Sequence, residues 1–355
     1  MKKTMLALIL GASAGMAAAQ SAVTVYGVVD VALVREIGAA AGSSTKLTSG
    51  VASGSRLGFK GTEDLGNGLS AVFLLENGFQ ADTGAMGQGG LLFGRQAYVG
   101  LQSRAGALTL GRQYTPQYLA IAGADPFGSG MAGDTKNLMA ATGNSASRMD
   151  NSIKYASPAL NGVSAELVYG AGEVSGDSSA GRQFGGALAY AAGPLNVKLA
   201  HHNRDNDSAT VKNTSSARNT ALAATYGFSA AKAHLVYSVD KGLNSAPLRN
   251  AANPFGHARA PVASTDSQAL LLGVTVPMGA HVWMASWIRK DDRTALNQDA
   301  EQMALGYRNI LSKRTDLYAA YARILNRNGA GYTVGGAIEG GTGDGAVNLG
   351  LRHSF

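Results

Sequence analysis

Apolar and polar residues alternate with a period of two along much of the chain. In the first such stretch one parity is apolar throughout, while the other mixes Thr24, Tyr26 and Asp30. The apolar members are Val23, Val25, Val29, Val31 and Leu33. Because successive side chains of a β-strand point to opposite faces, this pattern predicts a strand with one apolar face. The same test along the whole sequence predicts sixteen strands, although several of them alternate poorly.

The predicted strands are joined by connections that alternate in length. Short turns lie at residues such as 65–68 and 103–106, whereas longer connections rich in Gly, Ser and Asn lie near residues 37–54, 116–147 and 242–266. Short turns at one end and long loops at the other are typical of an outer-membrane barrel, with periplasmic turns and extracellular loops. We therefore predict an all-β fold, a 16-stranded antiparallel transmembrane β-barrel with both termini on the periplasmic side.

A soluble β-sandwich also alternates, so each strand taken singly fits either fold. The barrel is favoured by features of the whole chain: the rhythm of long and short connections, the terminal Phe355, and tyrosines near strand ends. Tyrosines in that position would form the aromatic girdle found at a lipid interface. An export signal at the N-terminus points the same way.

The first nineteen residues have the pattern of a secretory signal peptide. Lys2 and Lys3 precede an apolar run over residues 5–14, and alanines at 17–19 fit a small-residue cleavage site. The run is too short for a transmembrane helix. We expect residues 1–19 to be removed, which leaves 20–355 as a single barrel domain. Removal takes away two lysines and no acidic residue, so the formal net charge falls from +7 to +5.

Composition narrows the fold and the chemistry further. The chain has no cysteine, which excludes a disulfide framework and thiolate metal sites. Its 48 glycines and 13 tyrosines, against 8 prolines, suit many short strands joined by turns. No segment after residue 19 offers the ~18 uninterrupted apolar residues that a membrane helix requires. A helical membrane protein is therefore excluded.

Catalytic and nucleic-acid-binding patterns are weak in this sequence. Adjacent His201 and His202 point to opposite faces of a strand, and no G-x-S-x-G motif stands at a strand-to-helix turn. Metal-ligand spacing is also missing from the sequence. The basic residues are spread by strand parity and form no patch with aromatic residues. We expect no enzymatic activity, no cofactor, no metal and no nucleic-acid partner.

Several motifs together resemble a general porin of the Gram-negative outer membrane, of the beta-proteobacterial type. The segments that carry the resemblance are SAVTVYGVVDVAL, SRLGFKGTEDLGNGLSAVFLLENGF, FGRQAYVGL, LTLGRQYTP, DPFG, RMDNSIKY and NLGLRHSF. The resemblance implies a homotrimer in contact with outer-membrane lipid and lipopolysaccharide, and passive diffusion of ions and small hydrophilic solutes. It also implies that the third extracellular loop folds into the lumen as a constriction.

Residues 115–147 match that third loop. The stretch is long, has no run of charges, and would expose residues such as Tyr118, Phe127 and Met131 if it hung in water. A barrel of this size leaves an aqueous channel that such a loop could narrow. Asp125 and Asp134 are the acidic residues of this stretch, and the resemblance implies that they face a ladder of arginines.

The predicted wall of the constriction is basic. The resemblance implies that Arg56, Arg95 and Arg148 stand on this wall. Arg56 and Arg148 also have lumen parity, whereas Arg95 shares the parity of its apolar neighbours and is assigned mainly on the resemblance. A lipid-facing arginine costs ~2 to 4 kcal/mol at the bilayer midplane, which favours an inward position. The predicted pore residues on the wall are Arg56, Arg95, Arg148, Lys60, Lys154 and, despite its shared parity with Leu108 and Leu110, Arg112.

The balance of these charges predicts anion preference. Rings of Arg or Lys favour anions and rings of Asp or Glu favour cations, and the predicted cations outnumber the two loop acids. The sequence also leaves open a second interpretation, a substrate-specific channel for a small anionic solute. Saturable block by one sugar, phosphate or carboxylate would distinguish that channel from a general one.

Overall fold

The computed structural model describes residues 22–140, 147–212 and 214–355. Apart from one short helix, α1 (Pro116–Ala124), and a 3₁₀ turn at Thr135–Asn137, its regular structure is all β. The strands are β1 (Ala22–Ile37), β2 (Ser44–Ser49), β3 (Arg56–Gly66), β4 (Leu69–Gly78), β5 (Gln96–Ser103), β6 (Gly106–Tyr114), β7 (Arg148–Ala156), β8 (Val163–Gly170), β9 (Gln183–Ala192), β10 (Leu195–Arg204), β11 (Ala217–Gly227), β12 (Lys232–Ala246), β13 (Ser264–Met278), β14 (His281–Asp292), β15 (Ala300–Ile310), β16 (Thr315–Asn326) and β17 (Gly345–Ser354).

Antiparallel pairing closes these strands into a barrel. From β3 onward each strand pairs with the next, and β1 closes the ring by pairing with β17. The other edge of β1 pairs with β3 in its first half and with β2 in its second half. Because β2 and β3 together fill one position, the seventeen segments form sixteen barrel strands. The predicted 16-stranded antiparallel barrel is confirmed.

The break between β2 and β3 was not predicted, because residues 37–54 read as one long connection. Residues 50–55 leave the sheet there and are held by Asp30, whose carboxylate accepts the backbone N–H groups of Val51 (3.1 Å) and Ser53 (3.0 Å) and the hydroxyl of Tyr318 (2.7 Å). The carbonyl oxygen of Val51 in turn points inward. It accepts backbone hydrogen bonds from Met131 (2.6 Å) and Ala337 (2.9 Å).

The two faces of the wall differ as the alternation predicts. Leu33, Leu199 and Leu349 lie on the outside with half or more of their surface exposed. Their neighbours along the strands, such as Asp30 and Asn348, point inward and are buried. An apolar outer face and a polar interior reverse the pattern of a water-soluble protein and suit contact with lipid. Within the described residues, no helix has both the length and the apolar character needed to cross a membrane.

The described residues of the third long connection, between β6 and β7, lie inside the barrel. Its helix α1 starts after Thr115, whose hydroxyl caps the backbone N–H of Tyr118 (3.2 Å), and packs against β9–β12. Phe127, Met131 and Leu138 are less than 5% exposed. Burial of each such side chain stabilises the fold by roughly 1.5–3 kcal/mol. Residues 141–146 of the predicted constriction loop and the predicted signal peptide, residues 1–19, lie outside the described residues.

Two glycines on the inner wall allow the loop to come this close. A Cβ atom at Gly273 of β13 would lie 2.4 Å from Cγ of Pro126, and one at Gly306 of β15 would lie 2.6 Å from Cε1 of Phe127. Carbon atoms do not approach to such distances without displacement. The side chains of Pro126 and Phe127 therefore pack directly against the backbone of β13 and β15 at these two glycines.

Candidate functional site

A cavity of about 590 Å³ lies between the third long connection and the inner wall. One side is formed by the starts of β3 and β7 and the residue before β5. The other is formed by residues 128–140 and by two further connections, residues 247–249 and 337–340. Its cationic lining residues are Arg56, Arg95, Lys136, Arg148 and Arg249. Among the described residues that line it, none is acidic.

Arg56 and Arg148 are the first residues of β3 and β7, and Arg95 directly precedes β5. These three strands run in the same direction, so the three wall arginines lie at the same end of the barrel. Arg95 and Arg148 each donate through Nη2 to the hydroxyl of Tyr114, at 2.9 and 2.6 Å. The guanidinium of Arg148 also lies 4.4 Å from the centre of the Tyr114 ring. Glu76 binds Nε of Arg95 at 2.7 Å and lies 3.7 Å from Nε of Arg56. Arg95 and Arg148 are therefore held rigidly, while Arg56 is held less tightly and is the more exposed.

Arg95 shows why parity left its direction open. The residue precedes β5, which begins at Gln96, so the strict alternation of strand side chains does not govern it. Its side chain turns inward, where Glu76 accepts its Nε–H. A charge-assisted hydrogen bond to a buried carboxylate is strong enough to set the direction of the side chain.

Lys136 and Arg249 complete the cationic lining from the opposite side. Lys136 lies in the third long connection and donates to the carbonyl of Ala337 at 2.6 Å. Arg249 donates to Asn137 Oδ1 at 2.7 Å and to the carbonyl of Gly336 at 2.6 Å. Sequence reasoning missed both residues. Lys136 stood in the very stretch whose acids were considered, whereas no pattern marks Arg249 within its connection.

The structure differs from expectation for the two loop acids, which are buried and do not line the cavity. The Asp125 carboxylate accepts backbone N–H groups of Phe127 (2.8 Å), Ser129 (2.9 Å) and Thr135 (3.1 Å). Asp134 lies 3.3 Å from Lys136 Nζ and 3.4 Å from Arg249 Nη1. A loop folded into the barrel needs acceptors for its own backbone donors. These acids therefore organise the loop instead of facing the arginines.

Comparison with known proteins identifies the family. The model of the Gram-negative porin family matches residues 4–329. The chain belongs to this family. Two porins are 32% identical to it over all of both chains: an outer membrane porin of Bordetella pertussis, across 407 aligned positions, and outer membrane porin protein 32 of Delftia acidovorans, across 382. The solved anion-selective porin from Comamonas acidovorans is 29% identical, covers 95% of this chain and 100% of its own, and superposes with a TM-score of 0.76.

Membership in the family confirms that this porin is an outer-membrane protein that crosses the bilayer many times with β-strands. Its interior is a channel, and the cavity described above is part of that interior. In the described residues, no group of three or more His, Cys, Asp or Glu side chains could hold a metal ion.

The remaining predicted pore residues lie away from the cavity. Lys60 stands 5.4 Å from the centre of the Tyr26 ring on the inner wall of the porin. Lys154, also inward, forms an ion pair with Glu166 at 2.8 Å. Arg112 pairs with Asp150, donates to the carbonyl of Gly94 at 2.8 Å and does not line the cavity. The structure thus brings together Arg56, Arg95 and Arg148 but not Lys60, Lys154 or Arg112.

The free energy of unfolding of the porin is expected to fall as pH rises from about 4 to about 7, because Asp125 is buried in the third long connection. Burial, reinforced by the charge of Asp134, raises the pKa of Asp125 to about 7, whereas an aspartate in an unfolded chain titrates near ~4. Between these values the folded state holds a proton that the unfolded state has lost, so ionisation at higher pH favours unfolding. Urea unfolding at pH 5 and pH 8 should show this loss in the porin, and less of it in Asp125→Asn. Equal pH dependence in the two proteins would contradict the assignment.

Proposed function

We propose that this porin is a passive channel that prefers small anions. The observation that carries the proposal is the cavity lining, in which five cationic side chains meet and no acidic one is found among the described residues. Basic linings favour anions because each mobile anion is stabilised by the fixed charges it passes. The anion-selective porin from Comamonas acidovorans, similar in sequence and structure, supports the same direction.

Two buried carboxylates, of Glu76 and Asp134, offset only part of the positive charge around the cavity. Asp134 offsets one of the two charges of Lys136 and Arg249, and Glu76 offsets one among Arg56 and Arg95. Both carboxylates are buried, so an ion in the cavity meets the guanidinium and ammonium groups first. The net field at the cavity therefore remains positive. We assign the chain no catalytic reaction.

Reversal potentials across planar bilayers test this function. With a tenfold gradient of potassium chloride, the zero-current potential should have the sign set by chloride permeation. Replacing chloride by a larger anion should move the potential towards the value for potassium. A potential that follows potassium from the start would contradict the proposed anion preference.

We also propose that the porin assembles as a homotrimer. The outer face of β1 and β3–β5 has a depression of about 240 Å³, lined by residues that include Val23, Gly61, Ala71, Phe73 and Val99. The apolar lining and the small side chain of Ala71 suit contact with another subunit, as in other interfaces within membranes. Unheated protein in detergent should migrate on gels as a trimer that heat converts to monomer. Monomeric migration of unheated, conducting protein would contradict assembly.

A second candidate function is a channel specific for a small anionic solute. It is favoured by apolar side chains that share the cavity with the cations, among them Leu248 and Ile338. A sieve for inorganic ions gains nothing from such side chains, because they offer no favourable contact to a hydrated ion.

A further inference from the structure

We propose that the cavity binds small organic monocarboxylates that carry a compact apolar group, of which benzoate is the simplest aromatic example. The inference rests on the proposed anion channel and names a solute class for the same cavity. It depends on a division of the lining into a charged part and an apolar part, which come from different segments of the chain.

Arg56 offers the best contact for the carboxylate. Its side chain is 24% exposed, against 10% for Arg95, and its ties are loose: an ion pair with Glu76 at 3.7 Å and a hydrogen bond to the carbonyl of Gly54 at 3.4 Å. A planar guanidinium can bind both oxygens of a carboxylate at once. The charges of Arg95 and Arg148 add to the field there, although both already donate to Tyr114.

The apolar part consists of two aliphatic side chains and the ring of Tyr118; the ring of Tyr114 also lines the cavity but is already in contact with Tyr118 and with the guanidinium of Arg148. The rings of Tyr114 and Tyr118 have centroids 5.2 Å apart and an interplanar angle of 25°. Leu248 and Ile338 are half-buried and come from two other connections. Aromatic faces and aliphatic groups gain free energy when an apolar body displaces water from them.

The second pair of cations is less available to a ligand. Lys136 and Arg249 share the buried carboxylate of Asp134, and both also donate to backbone carbonyls of residues 336–339. A second carboxylate on the solute would have to compete with these partners. The volume of about 590 Å³ lies within the range of about 300–1,000 Å³ found for small-molecule sites. The geometry therefore favours one carboxylate and one apolar group.

Block of single-channel chloride current tests the inference. Benzoate should reduce the current at about a tenfold lower concentration than acetate, because its ring buries more apolar surface than a methyl group does. Benzyl alcohol, which has the ring without the charge, should leave the current unchanged. Equal block by benzoate and acetate, or tighter block by succinate than by benzoate, would overturn the proposal.

Variants locate the effect. The double variant Leu248→Ser, Ile338→Ser should weaken block by benzoate about tenfold and leave block by acetate unchanged, since it removes the aliphatic contacts and no charge. Leu243→Ser is the matched control: Leu243 is 42% exposed and does not line the cavity. Unchanged benzoate block in the double variant would overturn the assigned site.

Reversal potentials measured in the same membranes separate the two proposals. Anion preference without any advantage of benzoate over acetate would remove the solute class and leave the anion channel standing. Cation preference would remove the proposed function itself, together with the inference that rests on it.

Discussion

Replacing Arg56 by glutamine is expected to lower the ratio of chloride to potassium permeability about fivefold. The Arg56 side chain is more exposed than that of Arg95, and its ion pair and hydrogen bond are long. Its charge therefore acts on passing ions more than on the stability of the fold. A unit charge about 4 Å from an ion contributes about 1 kcal/mol even in water, which corresponds to that factor. Reversal potentials of the wild type and Arg56→Gln, in the same salt gradient, measure the change.

The matched control for this experiment is Arg112→Gln. It removes the same charge from a side chain that pairs with Asp150 and does not line the cavity. Its permeability ratio should stay close to that of the wild type. If Arg112→Gln changed selectivity as much as Arg56→Gln, total charge and not the cavity lining would determine ion preference.

Asp134→Asn is expected to destabilise the porin strongly. The Asp134 side chain is fully buried and is the shared partner of Lys136 and Arg249, whose side chains are only 18% and 14% exposed. Removing one partner of a buried ion pair costs about 3–5 kcal/mol, because the remaining charges lose their compensation. Urea unfolding in detergent, followed by the fluorescence of Trp283 and Trp287 in β14, should show the loss.

Asp82→Asn serves as the comparison, because Asp82 is exposed in the connection between β4 and β5. It should unfold like the wild type. Asp134→Asn should also make single-channel currents noisier, since the loop loses a contact between its residues and residue 249. Steady currents and an unchanged unfolding midpoint would show that Asp134 does not hold the loop.

The barrel could be predicted from the sequence because lipid and water impose opposite demands on alternate residues. The resulting alternation is visible within a single strand, as from Val23 to Leu33, so each strand could be predicted by itself. The break between β2 and β3 was missed because it depends on Asp30. In the sequence Asp30 is one of many inward-facing polar residues, and its hydrogen bonds to Val51 and Ser53 form only in the folded protein.

The cavity was predictable in part. The inward direction of Arg56 and Arg148 followed from parity, and the assignment of these two and of Arg95 to the constriction followed from resemblance. The two acids were assigned to the pore because a sequence shows that a carboxylate exists but not which donors surround it. Asp125 meets three backbone N–H groups of its own loop, and Asp134 meets Arg249, more than a hundred positions away. Contacts of that range leave no periodic trace, and Arg249 was missed for the same reason.

The interruption of the wall at residues 50–55 connects the wall to two loops inside the barrel. Inside a regular sheet every backbone carbonyl is taken up by a neighbouring strand, so the wall offers nothing to a loop that passes in front of it. The carbonyl of Val51 is not paired with a neighbouring strand. It accepts hydrogen bonds from Met131 and Ala337, which belong to two separate loops inside the barrel. Both loops therefore share one acceptor on the wall that lies outside the pairing of the sheet.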